Sequence, residues 1–126
     1  MQPHASSLSG LRILVVEDTT LIADSICDEL QSHGCEIVGS IGRLEQALSA
    51  ARDEKLDGAL LDVNLAGEQS FPVADILQKR NVPFVFITGY DTQSTIPPRF
   101  HAVERLTKPF DLDDLAVVVA RRFGRT

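Results

Sequence analysis

Gly58-Ala59-Leu60-Leu61-Asp62 is the stretch that decides the fold. The run is short, continuous and apolar, with Asp57 before it and Asn64 and Gly67 beyond its end. A strand of this composition is covered on both faces, as in a parallel sheet. Asp62 then stands at the carboxyl end of a buried strand. Two more strand-like runs end in the same way: Ile13-Leu14-Val15-Val16 leads into Glu17-Asp18, and Leu106-Thr107 leads into Lys108-Pro109. Ligands of open parallel sheets bind at the crest formed by the carboxyl ends of the strands. Three acids and one lysine delivered there by three strands make a small, highly charged site.

Outward from this stretch, strand and helix signals alternate from Arg12 to Arg122. After Asp18, Thr19 or Thr20 is placed to cap a helix running to about His33. Leu21, Ile22, Ile26, Cys27 and Leu30 are expected on its inner face, and Gly34 stands where a helix-ending glycine belongs. A short strand over 36–39 and a helix over roughly 43–54 follow, with Leu44, Ala47, Leu48 and Ala51 facing inward. A third helix covers about 71–80, where Val73, Ala74 and Leu77 recur at helical spacing, and residues 82–87 form a β-branched and aromatic strand. Pro98 then constrains Pro97 away from helix, so the fourth helix should be short or irregular, starting near Pro98. Residues 105–108 make the fifth strand. Asp111 or Asp113 opens a last helix with Leu112, Leu115, Ala116 and Val119 toward the sheet. The alternation predicts an α/β fold: a five-stranded parallel sheet with helices on both faces, joined by right-handed crossovers.

A chain of 126 residues fits one domain. Residues 1–10 read as a flexible lead-in and 11–126 as the domain, with no output domain attached. The apolar fraction of 44% and charged fraction of 24% are those of a soluble globular protein. No apolar stretch approaches the roughly 20 residues that span a bilayer, and the first ten residues lack the basic and apolar regions of a secretory signal. Cys27 and Cys35 fit neither a disulfide scaffold nor a zinc site and read as reduced thiols of a cytoplasmic protein. A net charge of −6 argues against a nucleic-acid surface.

The crest carries the chemistry. Glu17, Asp18 and Asp62 form a hard, oxygen-rich pocket of the kind that suits Mg²⁺. Without a cation the acids repel one another, and at least one pKa should rise. Lys108 is the counter-charge, and its bond to Pro109 tolerates the cis form. Thr88 ends the fourth strand and brings a hydroxyl to the same edge, where Gly89 lets the backbone approach a bound group.

The ordered set consists of an acidic pair after the first strand, Leu-Leu-Asp after the third, Thr-Gly after the fourth and Lys-Pro-Phe after the fifth. In that order, over residues 12–123, the chain resembles the receiver domains of two-component response regulators. The resemblance implies a flavodoxin-like receiver fold with strand order 2-1-3-4-5. It implies that Asp62 accepts a phosphoryl group from a kinase phosphohistidine. Asp18 and Asp62 would bind Mg²⁺ directly, Glu17 through water and Asn64 through its backbone carbonyl, while Thr88 and Lys108 grip phosphoryl oxygens. Catalysis of this kind works by positioning and charge neutralisation. The new charge would draw Thr88 and its loop inward. The output would be altered protein contacts, as a switch, a relay or a phosphate sink, rather than turnover of external substrates. The implied partners are a histidine kinase or histidine phosphotransfer protein and an unnamed downstream protein. No nucleic acid or membrane is expected, and the protein should be a monomer or weak dimer.

One position departs from the pattern. Receivers usually carry an aromatic residue three positions before the lysine, and here that position is Arg105. Together with Pro83-Phe84-Val85-Phe86-Ile87-Thr88-Gly89-Tyr90, this resembles the single-domain FAT GUY subgroup, with Ile87 in place of the motif's alanine. That subgroup is associated with HWE and HisKA2-type histidine kinases and with general stress signalling. Thr88, Tyr90 and Arg105 are the switch candidates, Tyr90 as a shield for the phosphorylated Asp62, and the loop 89–98 is the expected mobile element. A phosphorylation-independent pseudo-receiver is the alternative that Arg105 leaves open. A phosphatase of the haloacid-dehalogenase type would need an acid two residues after its nucleophile, where this chain has Asn64.

Overall fold

The structure, a computed structural model, describes residues 8–89 and 95–124. Five parallel strands form the central sheet: β1 (Arg12–Val16), β2 (Glu36–Ile41), β3 (Gly58–Asp62), β6 (Phe84–Thr88) and β7 (Arg105–Thr107). A small antiparallel hairpin, β4 (Asn64–Leu65) and β5 (Glu68–Gln69), lies between β3 and the following helix. Flanking the sheet among the described residues are the α-helices α1 (Thr20–Ser32), α2 (Leu44–Asp53), α3 (Phe71–Lys79) and α4 (Leu112–Phe123). The sheet order is β2-β1-β3-β6-β7, which is the expected 2-1-3-4-5 when only the sheet strands are counted.

Period-two alternation divides the core. Ile13, Val15, Leu60, Val85 and Ile87 pack under α1 and α4, against Ile26, Leu30, Leu115 and Val119. Leu14, Val16, Ala59, Leu61 and Phe86 pack on the other face, against Ala47 and Ala51 of α2 and Val73, Ala74 and Leu77 of α3. Every residue of β3 is buried, as a strand with helices on both faces requires. Leu8 is fully buried in the first of these clusters, and the Gly10 amide donates to the Gly34 carbonyl at 2.8 Å. The last three residues assigned to the lead-in are therefore part of the fold.

Among the described residues, the region of the expected fourth helix holds a short 3₁₀ turn, Pro98–Phe100. Phe100 in this turn is a core plug: it is fully buried, and its ring lies 5.6–6.0 Å from those of Phe71, Phe84 and Phe86. Arg99 ties the turn to α3, its Nε and Nη2 each 3.0 Å from a carboxylate oxygen of Asp75.

Three expectations need correction. Leu21 is 77% exposed, because the buried stripe of α1 is Ala23, Ile26 and Leu30. At about 100° per residue, Leu21 lies roughly 140° around the helix from Ile26. Leu112 is also exposed, at the first position of α4, where the helix starts beyond the sheet. The strand β2 runs two residues past Gly39, because a register shift opposite Ile13/Leu14 lets it pair with β1 as far as Val16↔Ile41.

Candidate functional site

Parallel registry brings the crest residues to one level. Val16 pairs with Leu61, Asp62 with Ile87, and Thr88 with Thr107, so Glu17, Asp62, Thr88 and Lys108 all emerge at one edge of the sheet. The Lys108 amide donates to the Thr88 carbonyl at 2.7 Å, which ties the last two together. The Lys108–Pro109 peptide is cis.

Carboxylate oxygens of Glu17, Asp18 and Asp62 lie within 4.8 Å of one another. Glu17 and Asp62 are buried, and Asp18 is exposed at the rim. A single ammonium serves the two buried acids: Lys108 Nζ is 3.0 Å from Glu17 Oε1 and 3.2 Å from Asp62 Oδ2. Glu17 Oε2 accepts from the Thr19 amide at 3.0 Å, and among the described residues Oε1 has no partner besides the Lys108 ammonium. The Thr88 hydroxyl is fully buried and has no hydrogen-bond partner among the described residues.

Burial pushes the Asp62 carboxyl up from the ordinary 3.8 to about 7; the nearby Glu17 adds to the rise, and Lys108 offsets part of it. Burial draws the Lys108 ammonium down, but its two carboxylate neighbours outweigh this and leave its pKa raised. The site therefore has more negative charge than its own residues neutralise. Oxygen donors from three acids, two of them buried and sharing one ammonium, fit a hard divalent cation such as Mg²⁺.

Residues 13–120 match the family model for the response regulator receiver domain. The chain belongs to that family. The solution structure of SdrG from Sphingomonas melonis Fr1 superposes on this receiver domain with a TM-score of 0.78, at 40% identity, covering 90% of this chain and 96% of that one. Among curated proteins, the sensory transduction protein LytT of Bacillus subtilis is 36% identical over 80% of this chain and 43% of its own length. The transcriptional regulatory protein PdtaR of Mycobacterium tuberculosis is 31% identical over 90% of this chain and 57% of its own. The receiver domain thus spans about half the length of the curated relatives it matches. Domains of this family are signalling modules of two-component systems; they bind Mg²⁺ at an acidic pocket and interact with histidine kinases and downstream proteins.

In this receiver domain Glu17, Asp18, Asp62, Thr88 and Lys108 converge on one crest. Asn64 sits in β4 beside it: its amide is 3.4 Å from Asp62 Oδ1, and its side-chain oxygen accepts from the Gly67 amide at 2.9 Å. Arg105 is half-buried on β7, with Nη2 3.3 Å from the His101 carbonyl. Tyr90 and residues 91–94 of the expected mobile loop lie outside the described residues. Among the described residues no helix is long and apolar enough to cross a membrane.

Two features escaped sequence reasoning. One is an open groove of about 550 Å³ next to Lys108, lined by Leu21, Ile22, Ile26, Pro109, Phe110 and Leu112. The exposed leucines noted above belong to it. The other is the β4–β5 hairpin, whose turn residues Ala66 and Gly67 have φ of +50° and +93°. Leucines inside an apolar helix pattern and an Ala-Gly pair carry only weak signals for either feature.

Proposed function

We propose that Asp62 is the phosphoryl acceptor of a signalling receiver whose donor is a phosphohistidine on a histidine kinase or phosphotransfer protein. In the transfer an O–P bond forms at Asp62 as the N–P bond of the donor imidazole breaks. The observation that carries this reading is the position of the Asp62 carboxylate, 3.2 Å from the single ammonium and within 4.8 Å of two further acids. Asp18, Asp62, the Asn64 carbonyl and, through water, Glu17 would hold Mg²⁺, which when bound supplies positive charge to the transferring phosphoryl oxygens. Lys108 and the Thr88 hydroxyl, which has no partner among the described residues, bind those oxygens once the phosphoryl group is in place. The apolar groove bordered by Lys108 is the surface that a protein donor would cover. Phosphorylation changes the charge of the crest and so alters protein contacts, in a relay, a switch or a phosphate sink. The Pro83–Tyr90 motif and Arg105 support membership of the FAT GUY-like subgroup and a kinase of the HWE or HisKA2 type.

Arg105 favours one second reading, a pseudo-receiver that binds partners without phosphorylation, because the usual inward-turning aromatic is absent. Incubation with a small phosphodonor and Mg²⁺, followed by intact-mass measurement, separates the two. One added phosphate that is lost in Asp62→Asn supports the acceptor. No gain of mass under any donor, with Mg²⁺ bound, supports the pseudo-receiver.

A further inference from the structure

Asp18 is the one acid of the crest that is exposed, on the chain just beyond β1, where a free side chain would sample several rotamers. Two contacts from distant segments hold it. The Ala66 amide, at the tip of the β4–β5 hairpin, donates to Asp18 Oδ2 at 2.8 Å. On the backbone side Gly42 is packed so closely that a Cβ there would lie 3.1 Å from Asp18 Cα and 3.4 Å from the Glu17 carbonyl oxygen.

The amide points at Asp18 only because the hairpin turns within two residues. Asn64 pairs with Gln69 and Leu65 with Glu68, leaving Ala66 and Gly67 as the loop. Positive φ at both loop positions is what a two-residue hairpin needs to match the twist of its strands. The Asn64 side chain braces the turn by accepting from the Gly67 amide. A non-glycine residue, Ala66, is held in the left-handed region at a cost, and hydrogen bonds at both ends of the turn sustain it. A carboxylate has about four acceptor sites. With Ala66 engaging one oxygen, the group is oriented and keeps acceptor capacity for the crest.

We propose that the β4–β5 hairpin is a positioning device for the divalent cation: its left-handed turn aims the Ala66 amide at Asp18 and fixes that carboxylate in its ligating orientation before the cation arrives. The inference rests on the Mg²⁺ reading of the crest. It makes Ala66 and Gly67 positioning residues that touch no phosphoryl group.

Gly67 offers a clean test, because a Cβ added there meets nothing within 4 Å and perturbs only the turn conformation. In Gly67→Ala the metal-free protein can relax out of the left-handed turn, and Mg²⁺ must restore it. The dissociation constant for Mg²⁺, followed by NMR titration, should rise about fivefold. Hydrogen exchange of the Ala66 amide in the metal-free protein should speed up in parallel. Gly67→Asn, whose side chain tolerates the left-handed region, should restore both. An unchanged Mg²⁺ affinity in Gly67→Ala, with Ala66 exchange accelerated and urea stability intact, overturns the inference and leaves the cation site standing. A wild-type protein that does not bind Mg²⁺ overturns the site reading and the inference together.

Discussion

At its amino end β1 begins with Arg12, whose guanidinium meets Glu36, Glu54 (3.7 Å) and the Lys55 carbonyl (2.8 Å), while its own amide donates to Asp57. At its carboxyl end the same strand runs into Glu17, which shares the Lys108 ammonium with Asp62, and Asp18, whose carboxylate lies within 4.8 Å of theirs. The two ends differ in exposure more than in charge count. Arg12 and its partners reach water, where ion pairs contribute little and like charges are screened. Glu17 and Asp62 are buried, so the excess charge at the crest appears as a raised Asp62 pKa. The contrast separates charge that ties the sheet together from charge held ready for a ligand.

The strongest way to break this contrast is Asp62→Asn. Asp62 in the folded, metal-free protein titrates near 7 instead of 3.8, so between those values the folded state binds more protons than the unfolded state. Its contribution to stability is therefore full below about pH 4 and is lost as pH rises to about 7. The loss corresponds to at most about 4 kcal/mol. Replacing the charge by a neutral amide should stabilise the metal-free protein by ~2 kcal/mol at pH 8 and by little at pH 4, measured as urea unfolding of both proteins. Saturating Mg²⁺ should stabilise the wild type and narrow the gap. An Asp62→Asn protein that is less stable at pH 8 would mean that the crest is not frustrated.

A smaller effect is expected at Thr88. Its hydroxyl is buried without a partner among the described residues, whereas the methyl that an isosteric valine would put in its place needs none. Thr88→Val should raise stability by about 1 kcal/mol in a thermal melt while slowing phosphoryl uptake. A loss of stability of similar size would show that the hydroxyl has a partner in solution and is not held for a ligand.

Much of this was legible because the physics was local. β1, β3 and β6 are short, largely apolar runs followed or ended by a polar residue and expose their pattern directly, so Asp62 is read from the end of one, as Lys108 is from the end of Leu106-Thr107. Pro97-Pro98 likewise announced a short or irregular helix starting near Pro98, where the 3₁₀ turn lies. What was not legible depended on partners distant in sequence. Leu21 and Leu112 belong to helices with apolar residues on more than one side, and only the angle at which α1 and α4 meet the sheet decides which of them stay outside. Phe100 stands in a loop with no periodicity, yet three rings from α3 and β6 close over it. The end of β2 was set by its register against β1 and not by its own composition. The hairpin hid because Ala66 is not a residue that advertises a left-handed turn, and because its reward, the bond to Asp18, spans 48 positions.

The smallest effect belongs to the other end of β1. Arg12 is 30% exposed and Glu36 60%, so their pairing gains little over solvation. Arg12→Ala removes that pair, the longer contact to Glu54 and the hydrogen bond to the Lys55 carbonyl, but leaves the backbone bond from its amide to Asp57. A loss of about 0.5–1 kcal/mol follows, part of it from the packed stem of the side chain. Because no buried acid is freed by the change, the loss should be the same at pH 5 and pH 8 and should shrink in 1 M salt, where the Debye length falls to about 3 Å. Urea unfolding at the two pH values, with and without salt, reads this directly. A loss above ~2 kcal/mol that grows with pH would place frustration at both ends of the strand and erase the distinction between them.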